Sequence, residues 1–167
     1  MDRHLILDKN QTIQKIRRIA YEIYENNFNE TELVVAGIFD KGYLFGLLLV
    51  QELESLSPLK IKLIKINLDK SALLQSEIQL DIDIALLKNK SIIIVDDVLN
   101  SGRTLAYSLK PFLNIEIKKL QIAVLVDRGY KSFPVAADYI GYSLSTTLKE
   151  HIEVVLDNEE EFGVYLK

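Results

Sequence analysis

Between residues 9 and 28 the apolar positions Ile13, Ile16, Ala20 and Ile23 recur every three or four residues, the spacing of one helix face. Asp8 stands where an N-cap belongs and Gln11 follows three residues later, the capping-box arrangement that marks a helix start. The pattern changes at LVVAGIF, residues 33–39, a continuous β-branched and apolar run of the kind a strand shows when both its faces are covered. A DKG turn ends it, and residues 43–56 return to helical periodicity until Ser57 and Pro58, where the residue before proline leaves helical backbone. KIKLIKI, residues 60–66, alternates as a half-exposed strand does. From Asn67 to Asn89 the periodicity weakens; a connection of that length inside a compact domain is expected to be a functional, mobile cover. IIIV, residues 92–95, and LQIAVLV, residues 120–126, predict two more buried strands with a helix over about 103–113 between them, and HIEVVL, residues 151–156, a last strand.

Strand and helix therefore alternate, which predicts an α/β domain with a mostly parallel central sheet flanked by helices and ligands at the carboxyl ends of the strands. At 167 residues the chain fits a single domain, 1–167, with no repeat or linker to divide it. Apolar residues at 49% and charged residues at 26% can build and solvate one core. The absence of cysteine rules out a disulfide, a thiol nucleophile and a thiolate metal site, and the two distant histidines, His4 and His151, disfavour zinc. Any metal is expected to be a hard ion on carboxylates. No signal peptide and no apolar run of roughly 20 residues is visible, so a cytoplasmic protein without membrane contact is expected. A net charge of −4 argues against broad binding to phosphate backbones. Lys15, Arg17 and Arg18, and Lys60, Lys62 and Lys65, read as solvated faces before they read as binding surfaces.

One stretch concentrates the chemistry. In SIIIVDDVLNSGRTL, residues 91–105, Asp96 and Asp97 follow a buried strand to the edge where this fold class holds ligands. Adjacent strand residues point to opposite faces, so the two are expected not to work as a tight acid-base pair, but to grip a diol or hold Mg2+ through its waters. Asn100, Ser101, Gly102, Arg103 and Thr104 run into a helix. Glycine allows the positive φ with which successive N–H groups converge on an anion, and the hydroxyls and guanidinium add donors. A phosphate monoester suits this loop, and the Walker spacing is missing. A receiver-type phosphoacceptor also uses an acid pair at a strand end, but on its first strand and without the anion loop.

Carboxylates for a diol beside a nest for a phosphate describe a sugar phosphate. VDDVLNSGRT resembles the phosphoribosyl pyrophosphate signature of type I phosphoribosyltransferases. By that resemblance Asp96 and Asp97 bind the ribose hydroxyls and Asn100 to Thr104 the 5′-phosphate. LVVAGIFDKG is similar to the family's pyrophosphate loop, with Lys41 and Gly42 at the leaving diphosphate. LVDRGYKSFPVAADYIGYSLSTT, residues 125–147, resembles the PyrR group, pyrimidine-operon attenuators that also act as uracil phosphoribosyltransferases. The resemblance spans residues 5–157 and implies a flap, a small hood, Mg2+ and a homodimer. It also implies a pentosyl-transferring enzyme (a glycosyltransferase) that joins a nucleobase, uracil foremost, to phosphoribosyl pyrophosphate, with Asp127 and Arg128 near the diphosphate. Magnesium, Lys41 and Arg128 would stabilise that leaving group while the 67–89 flap excludes water.

Several letters depart from these patterns. Asn100 stands where hypoxanthine-guanine transferases place an aspartate; a neutral amide cannot be that base, which turns the reading from 6-oxopurines to a pyrimidine or an atypical acceptor, although Asn is equally a turn residue. The flap lacks the group's tyrosine-arginine-aspartate run, with Lys70 as the substitute charge, lacking arginine's bidentate fork. Asp40 in the pyrophosphate loop reads as a solvated turn residue, and Tyr130, Phe133 and Tyr139 as core before base-stacking groups. A catalytically weak nucleotide-sensing regulator that binds RNA is the alternative function; the acidic balance and the STT run at 145–147 speak against the RNA half.

Overall fold

A computed structural model describes residues 3–72 and 77–167. Its elements in chain order are β1 (His4–Leu7), α1 (Lys9–Asn27), β2 (Glu32–Ile38), α2 (Lys41–Leu56), β3 (Lys60–Asn67), β4 (Gln79–Leu80), a 3-10 turn (Ile84–Leu87), β5 (Ser91–Leu99), α3 (Arg103–Ser108), α4 (Lys110–Leu113), β6 (Lys119–Asp127), β7 (Tyr139–Ser143), β8 (Ile152–Val155) and β9 (Gly163–Leu166).

The capping box forms as the spacing predicts: the Gln11 amide N–H donates to Asp8 Oδ1 at 2.8 Å, and Gln11 Oε1 accepts from the Asp8 N–H at 2.9 Å. Ile16, Ile19, Ala20 and Ile23 turn the buried face of α1 to the core.

Six strands make the main sheet in the order β4-β3-β2-β5-β6-β7. β3-β2-β5-β6-β7 run parallel, and β4 is antiparallel at the edge. β2 is buried on both faces from Leu33 to Ile38, and β5 from Ser91 to Asp97, which explains their unbroken apolar letters. One face packs on α1 and α2 through Ile16, Phe45, Leu49 and Leu53; the other packs on α3 and α4 through Leu105 and Phe112. A separate antiparallel sheet, β1-β9-β8, stands at one end as the hood.

The structure corrects four sequence expectations. The helix expected over 103–113 breaks into α3 and α4, because Pro111 lacks a donor and its ring crowds the preceding turn. The second helix begins at Lys41, so Lys41 and Gly42 belong to its first turn. β1, β7 and β9 are strands of four or five residues, too short for periodicity to declare. The expected cover at 67–89 is not one bare loop, since Gln79 and Leu80 pair with Asn67 and Ile66 and the 3-10 turn follows. Residues 73–76 of that stretch lie outside those described.

Candidate active site

β5 outlasts its apolar letters and carries both aspartates inside the strand, Asp96 and Asp97 being 3% and 9% exposed. They do not diverge to opposite faces as alternation alone would have it. Ile94 and Leu99 pack in one core cluster while Val95 and Val98 pack in the other, an odd spacing in each case. The alternation therefore slips by one residue across the acid pair. Both carboxylates consequently reach one cation, with Lys70 Nζ 3.2 Å from Asp96 Oδ1 and 4.0 Å from Asp97 Oδ1.

Burial drives the Asp96 carboxyl up to about 8, and the charge of Asp97 adds to the rise, which Lys70 only partly offsets. The backbone N–H of Asp97 donates to Asp96 Oδ1 at 3.0 Å. Desolvation outweighing one ammonium is expected when two acids share a buried edge.

The loop after β5 takes the predicted form. Gly102 adopts φ +82°, the left-handed backbone that glycine reaches without penalty. The Ser101 hydroxyl accepts from the Arg103 N–H at 3.3 Å, and the Ser101 carbonyl accepts from the N–H groups of Ser132 and Phe133 at 2.9 and 3.0 Å. Thr104 follows in the first turn of α3. The Arg103 guanidinium reaches back to the carbonyl of Ala72 at 2.9 Å, tying the segment after β3 to this loop.

A polar cavity of about 220 Å³ gathers Lys70, Asp96, Asp97 and residues Asn100 to Thr104, with Ile152 of the hood at its wall. A larger cavity of about 540 Å³ lies near the sheet edge among Ile78, Leu80, Ile82, Ile84, Pro111 and Ile115; it has few polar groups to orient a reaction.

The β2–α2 junction closes one side of the acid pair. A Cβ on Gly42 would lie 2.7 Å from Asp96 Oδ1 and 2.9 Å from the Val95 carbonyl oxygen, so only glycine lets the two segments approach this closely. Lys41 also acts on the hood, as the weakest influence on the Glu153 carboxyl, which Lys167 foremost holds below the ordinary range.

Asp127 and Arg128 stand on the other side, at the end of β6. The Asp127 carboxylate accepts from the Gly129 N–H at 2.8 Å, with Lys131 Nζ 4.0 Å away. Arg128 is 8% exposed and donates to Asn100 Oδ1 at 3.3 Å, the Thr147 carbonyl at 2.8 Å and the Thr146 hydroxyl. The sequence run of acids and anion loop thus comes together with Lys70 in one cavity and with Gly42 against Asp96, whereas Lys41, Asp127 and Arg128 are not among the described residues that line that cavity. Sequence reasoning missed Ile152, Ala72 and the anchoring of Arg128 by Thr146 and Thr147. The STT letters at 145–147 were the one available signal for the last.

Of the expected base-stacking candidates, Tyr139 is 2% exposed and hydrogen-bonds Gln121 at 2.8 Å, a core role. Tyr130 is half exposed, with the Arg128 guanidinium 5.6 Å from its ring centroid.

The chain is similar to known proteins both in sequence and in fold. A family model described as the phosphoribosyl transferase domain matches residues 3–159. Bifunctional protein PyrR of Macrococcus caseolyticus is 32% identical, the match covering 100% of each chain. The pyrimidine operon regulatory protein of Lactococcus lactis is 33% identical, over 96% of this chain and 94% of its own. Among solved structures, a hypoxanthine-guanine phosphoribosyltransferase of Bacillus anthracis superposes with a TM-score of 0.76 at 19% identity, over 98% of this chain and 96% of that one. The hypoxanthine phosphoribosyltransferase of Trypanosoma cruzi gives 0.79 at 16% identity, over 98% and 94%. These structures share the fold, and the sequence relatives narrow the group: the chain belongs to the phosphoribosyltransferase family, among its PyrR-like type I members.

Proposed function

We propose that this phosphoribosyltransferase joins a pyrimidine base, uracil foremost, to C1 of phosphoribosyl pyrophosphate, giving a nucleoside monophosphate and diphosphate. The observation that carries the reading is the acid pair, Asp96 and Asp97, opening into the same polar cavity as the Ser101–Thr104 loop. Asp96 and Asp97 take the ribose hydroxyls, and Asn100, Ser101, Gly102, Arg103 and Thr104 take the 5′-phosphate. Lys41 and Gly42, from the first turn of α2 against Asp96, and Lys70 take the diphosphate. Asp127, at the neighbouring strand end, borders the substrate. The pyrimidine in the name of the Lactococcus lactis relative and the neutral Asn100 both favour a pyrimidine acceptor.

In the transfer, the C1–oxygen bond breaks with its electron pair leaving on diphosphate, a base nitrogen bonds C1, and the nitrogen's proton is released. The sugar passes through an oxocarbenium-like state, which positioning and electrostatics stabilise without a covalent intermediate. The family generally uses Mg2+ with phosphoribosyl pyrophosphate. The fit is favourable, because two adjacent carboxyl groups stand with the Lys70 ammonium 3.2 and 4.0 Å away, Mg2+ binds one or two carboxylates together with substrate oxygens and water, and a divalent ion there would favour the ionised form of Asp96. When bound on Asp96 and Asp97, the ion would neutralise charge on the departing diphosphate. Lys70 would then exchange the carboxylates for phosphate oxygens.

Incubation with phosphoribosyl pyrophosphate, Mg2+ and a panel of bases tests the reading: diphosphate release is greatest with uracil and is abolished in Asp97→Asn. Release with no base would sink it. No helix among the described residues is long and apolar enough to cross a membrane, and a cytoplasmic homodimer is part of the same proposal. The regulatory name of the Lactococcus lactis relative supports a second role on RNA, for which UMP-dependent retention of pyrimidine-operon RNA in a gel shift is the test.

A further inference from the structure

β5 lies between β2 and β6 in the sheet, and this order divides the site's cations. The Lys41–Gly42 turn leaves β2 and presses on Asp96, while Lys70, just beyond β3, bonds the same carboxylate. Arg128 leaves β6, its backbone N–H bonds the Leu99 carbonyl at 3.0 Å, and its guanidinium meets Asn100. A diphosphate seated on the Lys41 and Lys70 side is therefore across the acid pair from Arg128. Substitution at a sugar C1 brings the nucleophile to the face opposite the leaving group, so Arg128 stands on the entering side.

Its own contacts are unusual for a buried cation. All three of its hydrogen bonds go to uncharged acceptors: an amide oxygen, a hydroxyl and a carbonyl. Among the described residues no carboxylate lies within salt-bridge distance of it. Asp127 is turned to Gly129 and Lys131. The Glu150 carboxylate is taken by the Thr147 N–H at 2.7 Å, with Arg128 only a minor influence on it. Buried charges are ordinarily paired, yet the nearest compensation besides these bonds is the Tyr130 ring, 5.6 Å from the guanidinium to its centroid. A guanidinium has five donors, of which these bonds use three, so two N–H donors remain on a cation that no carboxylate among the described residues pairs.

Resting on the transferase reading, we propose that Arg128 acts on the acceptor base rather than on the diphosphate. It holds a pyrimidine oxygen and stabilises the negative charge that grows on the ring as its nitrogen gives up a proton. The device replaces the general base that Asn100 cannot be. The acceptor class it selects is a heterocyclic imide, acidic at nitrogen and carrying a carbonyl oxygen next to it. Asn100 serves as a positioning residue whose amide oxygen fixes the guanidinium plane. An arginine that only held the hood loop would be indifferent to how acidic the acceptor is.

The test compares kcat/KM for uracil and for the more acidic 5-fluorouracil in the wild type, Arg128→Gln and Arg128→Lys, alongside the melting temperature of each. Arg128→Gln is expected to lose more activity with uracil than with 5-fluorouracil, raising the 5-fluorouracil-to-uracil ratio about tenfold, the value of one charge-assisted hydrogen bond. Arg128→Lys is expected to restore the ratio toward that of the wild type. An unchanged ratio in Arg128→Gln, with wild-type turnover intact, would overturn this assignment while leaving the transferase reading standing. No turnover of either base by the wild type would remove both. Should Arg128→Gln fail to fold, Asn100→Ala is read instead: a raised ratio supports the assignment and an unchanged one overturns it.

Discussion

Asp96 can be made to report on its own burial. Its carboxyl is 3% exposed and driven up to about 8 by desolvation and by Asp97, whereas an unfolded aspartate titrates near ~3.9. A group whose pKa is higher when folded favours the folded state while protonated. Its contribution is complete below the unfolded pKa and is lost as the pH climbs through the folded one. The window thus runs from about pH 4 to about pH 8, and a rise of that size withdraws about 5 kcal/mol from the wild type across it. For a domain of this size that is roughly 10–20 °C in melting temperature. Asp96→Asn keeps the oxygen that accepts the Asp97 N–H at 3.0 Å and removes the ionisation. Calorimetric melting at pH 5.5 and 8.5 without divalent cations should show the wild type losing most of this stability between the two values. The variant should be nearly flat and the more stable of the two at pH 8.5. Parallel losses in both proteins would refute the reasoning, because the pH dependence would then belong to other groups.

Gly42→Ala places a Cβ 2.7 Å from Asp96 Oδ1 and 3.0 Å from the Asp96 Cα; overpacking of that kind costs about 1–3 kcal/mol. Its kcat/KM should fall well beyond what the stability loss explains. Gly141→Ala, whose Cβ would lie 2.5 Å from the Leu125 carbonyl oxygen away from the cavity, should lower the melting temperature and spare kcat/KM. Arg103→Ala removes the bond to the Ala72 carbonyl, and hydrogen exchange at residues 69–72 should quicken while exchange in β2 stays unchanged. Asp8→Ala removes the N-cap acceptor of α1, and denaturant melts should show a loss of about 1 kcal/mol without change in activity.

The parts of the fold legible in the sequence are those where one physical demand acts alone. Burial on both faces wrote β2 and the first half of β5 as unbroken apolar runs, and the capping box wrote the start of α1. The hood was named only through the resemblance, because β1 and β9 are four-residue strands whose pairing is decided by partners at opposite ends of the chain. Within the site, Gly102 and the two aspartates were readable because a positive φ and a pair of carboxylates each demand particular residue types. Their convergence on Lys70 was not, since it follows from a slip in strand alternation that depends on how both core layers pack. The contacts of Arg128 are likewise tertiary, drawing on Asn100, Thr146 and Thr147 from two other segments.

The proposed transfer requires one sugar phosphate to be held at both ends of the cavity, by the acid pair and by the Ser101–Thr104 loop. Calorimetric titration of phosphoribosyl pyrophosphate with Mg2+ into the wild type, Asp97→Asn and Thr104→Val tests it without requiring turnover. Saturable one-to-one binding should be weakened about tenfold or more by each substitution, the loss of one charge-assisted hydrogen bond or its equivalent. An affinity left unchanged by both substitutions, or no binding to the wild type, would show that the sugar phosphate is not held there.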